Sequence, residues 1–130
     1  MKVLDTTFLI DLIRGKPETK EYLMSVSPTI FFTTQINIYE VAVGMFMRKM
    51  SPSKFLQVQE LFENIRVLSL DDKGIIKSAE ICADLLKRGQ VIEDGDCLTA
   101  GIALSKGVAA IVTRNTEHFR RIKGIKVETY

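Results

Sequence analysis

One histidine and two cysteines are all the imidazole and thiol that the 130 residues carry. The cysteines, Cys82 and Cys97, lie fifteen positions apart with no CxxC and no second cysteine close to either, which excludes a zinc-ligand motif and a disulfide framework. Both are expected to be small core residues. Only three prolines are present and the glycines do not cluster, so no linker, low-complexity segment or internal repeat is expected. The longest apolar stretch, Val41 to Met47, falls well short of the ~18 residues of a membrane span, and no charged-then-apolar leader precedes Val3. A cytoplasmic protein with no membrane segment is the expectation.

What is present has the balance of one globular domain over residues 1–130: 46% hydrophobic and 26% charged. A chain of this length buries roughly 70% of the surface its unfolded form exposes, so it needs no metal to fold and any metal would serve chemistry. The net charge of +2 is too small to argue by itself for a nucleic-acid partner, but it is unevenly placed. Residues 114 to 130 hold Arg114, Arg120, Arg121, Lys123 and Lys126 against Glu117 and Glu128, a net +3 that leaves −1 for the rest. That end is either a solvated surface or a patch that meets phosphates.

Met1 to Leu4 reads as a strand, Asp5-Thr6-Thr7 as a polar turn, and Phe8 to Gly15 as a helix. A helix opening at Pro17 and stopped by Pro28 follows, then a buried strand from Thr29 to Thr33. Helical spacing runs from Gln35 to Met50 and again from Pro52 to about Glu63. Ile65 to Leu70 is a third strand candidate. Asp71-Asp72 caps a long helix reaching about Arg88, with Ile75, Ile76, Ala79, Cys82, Ala83 and Leu86 as its expected apolar face and Gly89 as its stop. A helix from about Gly95 to Lys106, a buried strand from Ala109 to Thr113, a short helix and a strand from Ile125 to Val127 complete the chain. Near-continuous apolar strands alternating with helices predict an α/β fold with a mostly parallel sheet covered on both faces.

In such a sheet, ligands bind beyond the carboxyl ends of the strands. The residues expected there are Asp5 after the first strand, Asp94 and Asp96 at the start of the penultimate long helix, and Thr113, Arg114 and Asn115 after the fourth strand. Taken singly, Asp5, Asp94 or Asn115 is explained equally well as a helix cap. Glu40 is harder to explain that way, because it shares a helical register with Ile36, Val43 and Met47 and has no basic residue one turn away. Asp96 shares a face with Thr99, Ala100 and Ala103, small residues that permit close packing. If Asp5, Glu40 and Asp96 converge, they form an oxygen-only site suited to Mg²⁺ or Mn²⁺ and to phosphodiester hydrolysis without a protein nucleophile. His118 is assigned to a surface helix.

Four segments then resemble one family in order and spacing: Val-Leu-Asp-Thr-Thr-Phe-Leu-Ile (3 to 10), Ile-Asn-Ile-Tyr-Glu-Val (36 to 41), Ile-Glu-Asp-Gly-Asp-Cys-Leu-Thr-Ala-Gly-Ile-Ala (92 to 103) and Ile-Val-Thr-Arg-Asn-Thr-Glu-His-Phe (111 to 119). Over nearly its whole length the chain resembles a PIN-domain ribonuclease, specifically the VapC-type toxin of a toxin–antitoxin pair. The resemblance implies a three-layer α/β/α sandwich, with Asp5, Glu40 and Asp96 binding Mg²⁺ or Mn²⁺ and Thr113 and Asn115 at the same sheet edge. Asn115 stands where the family often has a fourth acid, which makes Asp94 an auxiliary candidate. The implied substrate is RNA, with tRNA or ribosomal RNA loops as typical targets and Arg114, Arg120 and Arg121 as candidate contacts. The implied partners are an antitoxin that inserts a segment into the acidic groove, and a second copy, for which Val41 to Met47 offers apolar surface. Two other readings stay open. In an aspartate-nucleophile phosphatase Asp5 would be phosphorylated, but Thr7 stands where a second Asp is usual; in a degenerate binding module Asn115 would mark lost chemistry.

Overall fold

The computed structural model describes residues 1–130 throughout. Five strands, β1 (Lys2–Leu4), β2 (Phe31–Thr34), β3 (Arg66–Leu68), β4 (Ala110–Val112) and β5 (Lys126–Glu128), form one sheet in the order β3-β2-β1-β4-β5. Every pairing is parallel, with Val3 opposite Phe32 on one side and Ile111 on the other. The helices are α1 (Thr6–Ile13), α2 (Pro17–Ser25), α3 (Gln35–Met47), α4 (Pro52–Asn64), α5 (Asp72–Lys87), α6 (Asp94–Ser105) and α7 (Thr116–Arg120). The order of elements is that expected from the sequence, with strand ends displaced by one to two residues. No helix is long and apolar enough to cross a membrane.

Successive residues of the central strands face opposite layers, which builds two cores from one sheet. Val3 and Ile111 enter a cluster with Ile81, Leu85, Ala100 and Phe119 from α5, α6 and α7. Their neighbours Leu4 and Val112 enter a second cluster with Phe8, Leu9, Val41 and Val58 from α1, α3 and α4. Cys97 is buried and Cys82 partly buried, and both are free thiols in the first of these cores.

Of the expected apolar face of α5, Cys82 packs on the core and the rest does not. Its buried residues are Gly74, Ser78, Ile81 and Leu85, whereas Ile75, Ile76 and Leu86 are exposed. The cause is the tightness of the α5–α6 contact: a Cβ on Gly101 would lie 2.0 Å from Ser78 Oγ and 2.6 Å from Ser78 Cα. Small residues occupy the interface because large ones would hold the helices apart. Gly101→Ala is therefore expected to cost about 2 kcal/mol by overpacking, read as a lower urea midpoint. An unchanged midpoint would mean that α5 and α6 are not this close.

The face assigned to α3 is also corrected. Asn37, Val41 and Met45 point into the protein, while Val43 and Met47, expected to share a buried stripe with Glu40, are exposed together with Tyr39 and Phe46. Glu40 therefore sits at the rim of the core and not on its apolar face.

Candidate active site

Asp5 follows β1, α3 follows β2 directly, and Thr113 follows β4, so three adjacent strands deliver their next residues to one sheet edge. The strand order turns back at β1, with β2 on one side and β4 on the other, and ligands of such sheets bind at the carboxyl ends of the strands at that point. Asp5 is buried, and although it is the N-cap residue of α1 its side chain makes no capping bond. Its oxygens are engaged elsewhere. Oδ1 accepts from Asn37 Nδ2 at 3.1 Å, and Oδ2 accepts from Thr113 Oγ1 at 2.8 Å and Thr7 Oγ1 at 3.3 Å.

Asn37 is a site residue that sequence reasoning passed over, although it lies within the segment quoted with Glu40. It is fully buried and forms a capping box with Thr34 at the start of α3. Thr34 N–H and Oγ1 donate to Asn37 Oδ1 at 3.2 and 2.7 Å, which fixes the amide and turns Nδ2 toward Asp5, Thr6 and Thr99. The capping signal was legible as Thr34 followed by a polar residue three positions on. That the same side chain reaches Asp5 depends on the pairing of β1 with β2.

Glu40, one turn beyond Asn37 on α3, accepts from Thr6 Oγ1 at 2.9 Å through Oε1. A Cβ on Gly95 would lie 3.5 Å from Glu40 Oε2, in ordinary contact, so Glu40 lies against the first turn of α6. Asp96, in that turn, is buried and accepts at Oδ2 from Asn115 Nδ2 at 3.1 Å. His118 Nδ1 stands 2.8 Å from the same oxygen, and 2.9 Å from Asn115 Nδ2. His118 thus lies on a short helix, as expected, but that helix belongs to the site. Asn115 makes no side-chain cap on α7, so the capping explanation fails for it as it does for Asp5.

Asp5, Glu40 and Asp96 are brought to one edge without a lysine or arginine partner; His118 is the only basic group paired with any of them. Burial pushes all three carboxyls above their ordinary pKa. The negative charge of Asp5 adds to this at Glu40 and Asp96, against the hydrogen bonds from Thr113, Thr6 and His118. Glu93 also repels both Glu40 and Asp96 and was not foreseen. Asp94, expected as an auxiliary, is exposed at the start of α6 and makes no hydrogen bond to the other acids.

No three His, Cys, Asp or Glu side chains stand as a ready-made metal cage. The donors nevertheless fit a hard divalent cation, because they are carboxylate oxygens with no lysine or arginine partner. Glu40 Oε2 and Asp96 Oδ1 accept no side-chain hydrogen bond and face no competing ammonium group.

The three arginines expected to meet RNA divide. Arg114 Nε pairs with Asp11 Oδ2 at 2.7 Å, and its guanidinium lies over the Tyr130 ring. Arg121 is spent on Val91 O and Glu117. Arg120 is exposed and makes no ion pair.

Comparison with known proteins identifies the family. The PIN domain family model matches residues 2–125. The tRNA(fMet)-specific endonuclease VapC of Salmonella typhimurium is 30% identical over 129 residues, 98% of this chain and 96% of that one. Among solved structures, DNA-bound VapBC from Salmonella typhimurium superposes with a TM-score of 0.84 at 30% identity, covering 98% of this chain and 96% of that chain. VapBC2 from Rickettsia felis, bound to a DNA fragment from its promoter, superposes with a TM-score of 0.89 at 18% identity, covering 99% and 98%, which is likeness of fold. The Salmonella relative is an endonuclease and not a phosphatase. The chain belongs to the PIN-domain family and, within it, to the VapC ribonucleases.

Proposed function

We propose that the protein is a Mg²⁺- or Mn²⁺-dependent endoribonuclease and the toxin of a toxin–antitoxin pair, with a structured RNA, tRNA foremost, as substrate. The observation that carries this reading is the grouping of Asp5, Glu40 and Asp96 at one sheet edge with no lysine or arginine to neutralise them.

Asp5, Glu40 and Asp96 would hold the metal. A bound divalent cation supplies positive charge for the phosphodiester and lowers the pKa of water. The protein's part is orientation. Asn37 and Thr113 fix the carboxylate of Asp5 from opposite sides, Thr6 fixes Glu40, and Asn115 with His118 fixes Asp96. In this reading the attacking group is water rather than a protein side chain. Arg120 meets the RNA backbone from the basic end of the chain, where it is free of protein partners.

The partners are the antitoxin and a second copy. A basic antitoxin side chain entering the acidic edge would form charge-assisted hydrogen bonds there. The exposed Tyr39, Val43, Phe46 and Met47 along α3 supply apolar contact surface next to Glu40.

The test is incubation of the protein with purified tRNA in Mn²⁺ and in excess chelator. Discrete cleavage products in the first and none in the second are expected, whereas metal-independent or absent cleavage would contradict the reading. Arg120→Ala is expected to reduce the salt slope of tRNA binding by about 1. An unchanged slope would return Arg120 to the solvated surface.

A further inference from the structure

The segment Thr113–Arg114–Asn115 touches two of the three acids, since Thr113 Oγ1 donates to Asp5 and Asn115 Nδ2 to Asp96. It is also internally braced, because Asn115 N–H donates to Thr113 Oγ1 at 2.9 Å. Arg114 lies between them, and both ends of the residue are fixed. Its N–H donates to Thr7 Oγ1 at 3.0 Å, and its side chain runs to Asp11 and Tyr130.

Asp11 anchors that side chain. It is a buried carboxylate on α1, with Oδ1 2.9 Å from Lys16 Nζ and Oδ2 shared by Arg114 Nε and the Tyr130 hydroxyl, which donates at 2.8 Å. Burial alone would raise its pKa, but the Lys16 and Tyr130 hydrogen bonds and the Arg114 charge outweigh this and hold it below the ordinary value. Tyr130 is itself seated edge-on against the buried Phe8, ring centroids 4.6 Å apart. A charge held by three partners on the core has one geometry available to it.

We infer that Arg114 is a positioning residue: gripped by Asp11 and Tyr130, it sets the turn that aims Thr113 at Asp5 and Asn115 at Asp96. The inference rests on the reading of Asp5 and Asp96 as metal-binding acids, and it reassigns Arg114 from RNA contact to support of the site. Electrostatics alone predicts the opposite sign for one of the variants. Deleting a cation near an acidic site should tighten Mn²⁺ binding, whereas losing the brace should weaken it.

The experiment is Mn²⁺ calorimetry on the full chain as wild type, Arg114→Ala, Arg114→Lys, Asp11→Asn and the double variant Asp11→Asn/Arg114→Ala, with the salt slope of tRNA binding measured alongside. Arg114→Ala and Asp11→Asn are each expected to weaken Mn²⁺ binding about 10-fold, and the double variant by no more than either alone. Arg114→Lys should recover part of the loss, and the salt slope should stay at the wild-type value. Unchanged or tighter Mn²⁺ binding in Arg114→Ala, or a salt slope lower by about 1, would overturn the inference and make Arg114 a phosphate contact. Tyr130→Phe removes one hydroxyl and keeps the ring, so it tests the brace without endangering the fold. Its Thr113 and Asn115 amide resonances are expected to shift, and unshifted resonances would also overturn the inference. If the wild type binds no Mn²⁺, the nuclease reading falls, and the amide resonances still decide whether the brace sets the turn.

Discussion

Asp5→Asn is expected to lower RNA cleavage about 1000-fold while leaving the thermal midpoint at pH 7 equal to or above that of the wild type. The loss follows from the several kcal/mol of transition-state charge stabilisation that a bound metal contributes, and Asp5 is the most buried of the acids that would hold it. The retained stability follows from burial, which holds the Asp5 carboxyl above its ordinary pKa despite the hydrogen bond from Thr113. A carboxyl raised in the folded state binds protons more readily there than in the unfolded chain, so its charged form opposes folding at neutral pH. Asparagine removes that charge and keeps an oxygen for the Asn37 amide. The stability difference between variant and wild type should narrow as the pH falls and the wild-type carboxyl takes up its proton. Cleavage within tenfold of wild type would remove Asp5 from the site, and a much lower midpoint would show that its charge is structural.

At another part of the sheet the sign reverses. Glu128 on β5 accepts from Lys2 Nζ at 2.5 Å and from the Tyr22 hydroxyl at 2.6 Å, and each side chain of the Lys2–Glu128 ion pair is less than one-fifth exposed. The Lys2 hydrogen bond, helped by Tyr22, holds the Glu128 carboxyl down at about 2, against an ordinary value of 4.5. A depressed carboxyl stabilises the fold fully above its unfolded pKa and loses that contribution as the pH falls through its folded one. Glu128→Gln is therefore expected to cost about 2 to 3 kcal/mol at pH 7 and almost nothing near pH 2, read from urea midpoints at the two pH values. The cost is that of one network joining β1, α2 and β5, so Lys2→Met should not add to it in full. Equal destabilisation at both pH values would show that packing and not charge holds β5 in place.

The parts of this protein that are legible in sequence are those where one segment decides its own fate. β1 and β4 are three residues long with Val3 and Ile111 at their centres, and Asp5 and Thr113 follow them immediately, so their placement at the sheet edge needs only the parallel order of strands. The faces of α3 and α5 are not legible in that way. Hydrophobic periodicity points to Ile75, Ile76 and Leu86, which are exposed, because the contact with α6 is built on Gly74, Ser78 and Gly101, where smallness matters more than hydrophobicity. Asn37 and His118 were missed for a different reason. Each is an ordinary polar residue near a helix start, and its role exists only once β2 lies beside β1, or α7 beside α6. Arg114 looks basic and available in sequence, but Asp11, more than one hundred positions away, claims it.

The central claim is that Asp5, Glu40 and Asp96 together bind a divalent cation. Calorimetric titration of Mn²⁺ into the wild type and into Asp96→Asn, in the same chelator-stripped buffer, tests it most directly. Asp96→Asn relieves the repulsion from Asp5 and Glu93 and keeps an oxygen for its neighbours, so the variant should fold and report on metal alone. One-to-one binding in the wild type that disappears in the variant is the predicted result. Equal binding in the two proteins, or none in the wild type, would contradict the account.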